Sequence, residues 1–144
     1  MNRTLRNVLA IPAGFVIGSA VNMSLILLGP NLIPPPAGVD VSNAESLAAS
    51  IHLFEPRHFV FPFLAHALGT LVGALVAYLV AASHRAVFAW IVGALSLAGG
   101  IAAATMIPAP TWYIAIDLLA AYVPMAWIGI RLGQRLAGPP TAAA

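Results

Sequence analysis

His66 and Asp117 are an imidazole and a carboxylate set inside stretches that are otherwise apolar, "FVFPFLAHALG" and "TWYIAIDLLAAY". Asn22 interrupts a third such stretch, "GSAVNMSLILLG". A carboxylate beside a histidine can hold and pass a proton, attract a cation or act as a general base, and an amide adds both a donor and an acceptor. A second group, Glu55, Arg57 and His58, stands just ahead of His66 in "FEPRHFVFP". His58, Pro62 and His66 fall at i, i+4 and i+8, on one helix face. Pro62 there removes an amide donor and frees the carbonyl of His58. Pro124 does the same for Ala120, on about the same helix face as Asp117.

Other chemistries fit less well. "HLFEPRH" offers His52, Glu55 and His58 to a metal, but zinc catalysis wants two histidines at i, i+4 on one helix. Here the spacing is three and three, and Pro56 interrupts the helix. His58 and His66 with Asp117 make a two-histidine, one-carboxylate set, yet eight residues of helix separate two of those ligands by ~12 Å. No metal and no cofactor is therefore expected. The chain has no cysteine, which excludes thiolate catalysis, disulfide exchange and iron–sulfur ligation by its own residues. "GALSLAGG" follows no strand and is a helix-packing stretch, not a phosphate loop.

These groups must be positioned by membrane-spanning helices. Of 144 residues, 61% are hydrophobic and only 7% charged, with a mean hydropathy of +0.96. A soluble domain carries roughly a quarter of its residues charged. The apolar residues fall into four runs, about 8–28, 59–82, 87–107 and 112–130, each matching the ~20 residues that cross a hydrocarbon core. Nothing alternates with the dyad period of a membrane β-barrel. The expectation is an all-α membrane protein: a single four-helix transmembrane bundle over residues 1–137, with a disordered tail at 138–144. The N-terminus has the charge pattern of a signal peptide, but the apolar run continues past "GSA" and reads as an uncleaved first helix.

Five of the six arginines flank one side: Arg3, Arg6, Arg85, Arg131 and Arg135. Asp40, Glu45 and Glu55 gather on the other. By the positive-inside rule both termini are cytoplasmic, in what reads as a bacterial inner membrane. The basic residues orient the chain, and no nucleic-acid partner is expected. Between the first two spans, Ser42 and Glu45 form a capping box. Ala44, Leu47, Ala48, Ile51 and Phe54 then recur on one face of a short amphipathic helix, lying in the outer interface and ended by Pro56. An ordinary surface loop is the alternative.

Small residues recur at four-residue spacing: Gly14-Gly18-Asn22, Gly69-Gly73-Ala77 and Gly129-Gly133. In lipid such stripes permit close helix approach. At least one is expected to pack within the chain and another to serve a second protomer, giving a homo-oligomer, most simply a dimer. "VIGSAV…LIPPPAG" also echoes "IVGALS…MIPAPTW", as two tandem hairpins would.

The string "GPNLIPPPAGVD…HLFEPRHFVFPFLAHALGT…PAPTW" resembles a family of small bacterial four-helix membrane proteins of uncharacterised activity. The resemblance implies the helix count and no chemistry. In size the chain is also similar to small multidrug transporters and DoxX-like proteins, but it carries no diagnostic motif of either.

Counted from the outer helix ends, Asn22, His66 and Asp117 lie in one layer roughly 8–11 Å deep. A carboxylate there costs about 2.5 kcal/mol or more unless paired or neutral. An Asp117–His66 contact is the natural form, at the floor of an outward-facing funnel. Glu55, Arg57 and His58 would line its mouth and Asn22 its wall. Glu55 and Arg57 would alternatively anchor the loop to headgroups, with Asn22 as interhelical glue and Asp117–His66 as a structural bond. The leading functional expectation is a protein that binds or conducts a proton, cation or small polar solute, with membrane lipids around it. A structural or accessory subunit is the alternative, and an intramembrane enzyme using the His/Asp pair a second one.

Overall fold

The computed structural model describes residues 2–138. The expected disordered tail lies, beyond Gly138, outside the described residues. Six α-helices follow one another: α1 (Arg3–Leu32), α2 (Ala44–Ser50), α3 (Val60–Val80), α4 (Arg85–Met106), α5 (Thr111–Ala120) and α6 (Val123–Ala137). Four stretches are long and apolar enough to cross a membrane: α1, Pro56–Val80, α4 and the α5–α6 pair, Thr111–Ala137. The fold is the expected all-α four-helix bundle with a short helix between the first two spans.

The packing is the reverse of a soluble core. Most of the fully buried residues are small, with Ala10, Ala65, Ala74, Ala77, Ala89, Ala121 and Ala126 at 0% exposure, while Val16, Leu27, Ile116 and Leu119 face outward. Lipid is as apolar as leucine, so large side chains gain nothing by facing inward and close backbone contact decides the arrangement. α3 is the central helix. It packs on α1 most extensively, then on α6 and α4.

Glycines make those contacts. A Cβ on Gly14 would stand 2.6 Å from the carbonyl oxygen of Gly73, and one on Gly18 2.6 Å from that of Gly69. Gly129 likewise meets the Leu71 carbonyl, and Gly133 the ring of Tyr78. All three stripes are used within the chain, between α1 and α3 and between α3 and α6. None is left over for a second protomer, so that ground for expecting a dimer is gone.

Three sequence expectations change in detail. α1 continues through Pro30 to Leu32 instead of ending at "GPNLIPPPAG". Its last turn is held by Ile33 N–H donating to the Gly29 carbonyl at 2.8 Å and by the Asn31 side chain donating to the Leu27 carbonyl at 3.0 Å. The cap of α2 is Asn43, whose Oδ1 accepts from Ser46 N–H at 2.9 Å. Ser42 is turned away to Asp40, donating to its Oδ1 through both backbone and hydroxyl. Finally, the fourth span is two helices with a break at Ala121 and Tyr122.

The end of the bundle where α3 stops is tied by side chains of α1 and α4. Arg6 Nε donates to the Val80 carbonyl at 2.9 Å and Arg85 Nε to that of Ala81 at 3.1 Å, covering the open carbonyls where α3 ends. Asn7 Oδ1 accepts from Ala82 N–H at 2.9 Å.

Candidate functional site

Asp117 is on α5, one face turn from Tyr113, and is 4% exposed. His66 comes from the first half of α3. Its Nδ1 lies 2.9 Å from each carboxylate oxygen of Asp117. Two protonation states satisfy this contact: Nδ1–H donating to a carboxylate, or a carboxylic acid donating to the bare nitrogen. Either way one proton sits between the two groups. The contact expected from burial cost is therefore made.

A third member was not foreseen. Tyr122 donates its hydroxyl to Asp117 Oδ2 at 3.1 Å, and its ring lies 5.7 Å from that of His66. Residues five apart lie roughly 140° around a regular helix and do not meet. The break before α6 brings them together. Pro124 has no N–H and its ring crowds the carbonyl of Ala120, which favours a break here, although α1 runs on through Pro12 and Pro30. The new helix starts with Pro124 in its first turn, where the missing donor is harmless. Gly100 of α4 faces the phenol, and any side chain there would overlap the Tyr122 hydroxyl. A proline shortly after an in-span carboxylate, with an aromatic between them, was the available signal.

His66 separates two cavities. The outer one, about 290 Å³, has Asp117, His66 and Tyr113 on its walls, with His58 nearer the loop. Leu47 and Ile51 of the α2 segment and Phe54 cover it, so the apolar face of the amphipathic helix roofs a cavity. The remaining walls are mainly aliphatic. This is an apolar vestibule with a polar floor, where the sequence suggested a polar funnel. Tyr113 follows Trp112 at the start of α5, where an aromatic ring would ordinarily face the headgroup layer. Instead it is 8% exposed, and its hydroxyl is buried without a hydrogen-bond partner among the described residues. Its ring packs 4.7 Å from that of Phe59, which also meets Trp112 at 5.6 Å.

The other expected site residues are distributed differently. Glu55 and Arg57 line neither cavity. They pair with each other at 3.1 Å, both largely exposed, a geometry that contributes little energy. Glu55 also caps the turn Pro56–Phe59 reciprocally with His58: the Glu55 N–H donates to His58 Nδ1 at 2.9 Å, and the Glu55 side chain accepts from the His58 N–H. His58 thus keeps only Nε2 for any further partner. Asn22 is on the far side of His66, in a groove of about 350 Å³ between α1, α3 and α4. It packs against Gly69, about one helical turn deeper than His66, so the single polar layer becomes two. Among the described residues no group of three or more His, Asp and Glu comes together as metal ligands do.

Outside the spans, the Ser42 hydroxyl, followed by its backbone N–H, holds the Asp40 carboxyl below the usual aspartate value.

Comparison with known proteins finds no matching family model, no matching curated protein and no matching solved structure. The resemblance read from the loop strings therefore has no family match behind it. The four membrane-length helices are what the structure supports.

Proposed function

We propose that the protein binds a small solute with one cationic or hydrogen-bonding end, at the floor of the outer cavity, and couples that binding to the proton held between His66 and Asp117. The observation that carries this reading is Asp117 itself. It is an almost fully buried carboxylate, held by His66 and Tyr122, at the base of a cavity that Tyr113 also lines. An intramembrane carboxylate is expensive and is kept for a pathway or a site. The carboxylate retains acceptor capacity beyond His66 and Tyr122, and Tyr113 can donate or accept. The aliphatic walls suit a short apolar body behind the polar end. The chain is further proposed to lie in a bacterial inner membrane with this cavity on the outer side.

Thermal stabilisation of the purified protein by short alkylamines, against alcohols of equal length, tests the reading. Ligand at a hundred times its dissociation constant raises stability by about 2.7 kcal/mol. Amines are expected to stabilise the wild type and to have no effect on Asp117→Asn, which retains its fold because the amide oxygen still accepts from His66 and Tyr122. Equal stabilisation of both proteins would count against the site.

A further inference from the structure

The groove on the inner side of His66 is distinct from the outer cavity in its walls, depth and opening. Its floor is Thr70 of α3, 2% exposed, and its sides carry Asn22 and the phenol end of Tyr122. Neither the Thr70 hydroxyl nor the Asn22 amide makes a hydrogen bond among the described residues. Thr70 lies ten residues into α3, about 15 Å from Val60 and so near the middle of a ~30 Å hydrocarbon core. Polar groups at that depth without partners are costly, and here two of them, Thr70 and Asn22, converge beside the Tyr122 phenol, which is itself bonded to Asp117.

The rim is apolar and open. Phe15 and Met23 of α1, and Leu95 and Gly99 of α4, all line the groove and are exposed. α1 packs on α3 along its glycine seam but far less on α4, which leaves the gap between them. An occupant therefore enters sideways from the membrane.

We infer that this groove binds an uncharged lipophile with a single hydroxyl or carbonyl head, lying between α1 and α4 with its head on Thr70 and Asn22. The chemistry selects the class. The lining offers neutral donors and acceptors and no carboxylate or arginine; its one titratable group, His66, is already engaged by Asp117, so an ionised head has no free counter-charge. A phospholipid head is confined to the interface and does not reach mid-bilayer. The volume of about 350 Å³ is within the range of small-molecule sites.

The full chain in phosphatidylcholine nanodiscs can be photolabelled with a long-chain primary alcohol and a long-chain ketone, each carrying a diazirine beside its polar end. The comparison probe is a phosphatidylcholine with the diazirine in mid-chain. The alcohol or the ketone is expected to label α1 and α4 residues at the groove at least five-fold more than the phosphatidylcholine probe. Gly99→Leu should reduce that labelling at least five-fold. A Cβ at Gly99 meets no heavy atom within 4 Å, so the leucine fills the mouth without disturbing the fold. Thr70→Val should reduce it as well, while keeping shape. Gly99 is not on the outer cavity, and alkylamine stabilisation should survive in Gly99→Leu. The two sites therefore fail separately. Equal labelling by all probes would reduce the groove to an ordinary acyl-chain surface. Cross-linking of one chain to another through α1 and α4 would assign it to a second copy. Either result overturns the inference.

Discussion

Tyr122 and Asp117 are five residues apart and hydrogen-bonded at 3.1 Å, a pairing that an unbroken helix forbids. The break that permits it depends on Pro124, and the room for the phenol on Gly100. Three helices thus converge on one carboxylate: α3 through His66, α5 through Asp117, and the α5–α6 junction through Tyr122.

Pro124→Ala returns a donor to the backbone and lets the last span run straight, which swings Tyr122 away from Asp117. The expected signature is a coupling in a double-mutant cycle. Tyr122→Phe should cost about 1.5 kcal/mol in the wild type, as for a hydrogen bond to a charged group, and close to nothing beside Pro124→Ala. Thermal or denaturant unfolding in detergent measures both. Equal costs in the two backgrounds would mean that the proline does not set the contact.

Gly73→Leu and Gly99→Leu should behave oppositely although both place leucine on a glycine of a spanning helix. At Gly73 a Cβ would stand 2.9 Å from the Gly14 carbonyl oxygen and 3.1 Å from Val92 Cγ1. Overpacking of that kind costs about 1–3 kcal/mol or more. Gly99 meets nothing. Loss of folded protein is expected for the first and wild-type unfolding for the second, read by detergent-corrected size exclusion and melting.

The spans, their number and the His66–Asp117 contact were legible because each follows from a one-dimensional rule. Hydropathy over about 20 residues gives a span, and two costly groups at one depth give a pair. Glu55 misled because its spacing to His58 also suits a reciprocal cap at a helix entrance, a local role that sequence alone does not separate from a cavity mouth. Asn22 was placed too shallow because the first span was taken to end at about Leu28, whereas α1 runs on to Leu32. Tyr122 escaped notice because helical periodicity excludes i, i+5 partners, and only the three-dimensional break restores one. Tyr113 carries no sequence signal beyond residue type, and neither does Thr70. The buried, unpartnered Tyr113 hydroxyl and the place of Thr70 on the groove become visible only after packing.

Both ends of the chain should report as cytoplasmic. Arg6 near the N-terminus and Arg85 after α3 bond neighbouring carbonyls at one end of α3, so they share a side of the membrane, and Arg131 and Arg135 lie towards the end of α6. A cytoplasm-active reporter fused after residue 138 is expected to be active and one inserted at 40–43 silent. The reverse pattern would place the outer cavity on the cytoplasmic side.

The turn before α2 should respond to acid. The folded pKa of Asp40 is lowered, first by the Ser42 hydroxyl, so its contribution is present above the ordinary aspartate value and is lost as pH falls through the folded one. Ser42→Ala is expected to move the Asp40 carboxyl resonance back up toward the ordinary titration. An unchanged titration would remove the hydroxyl as the cause.

Tyr113→Phe separates a site from a scaffold. The Tyr113 hydroxyl is buried without a partner, and leaving such a group unsatisfied costs about 1–3 kcal/mol. Phenylalanine keeps the ring, and with it the 4.7 Å packing on Phe59, while removing only the oxygen. If the hydroxyl is retained for a ligand, the ligand-free variant should be more stable than the wild type by about 1 kcal/mol, because nothing in the chain loses a bond. The same variant should bind the alkylamine probe more weakly, since the cavity loses one of its few polar groups. Stability and binding would then move in opposite directions. A variant that is less stable without ligand would instead place a structural partner on the hydroxyl and remove Tyr113 from the site. One that gains stability and binds as the wild type does would leave Asp117 alone to hold the polar end.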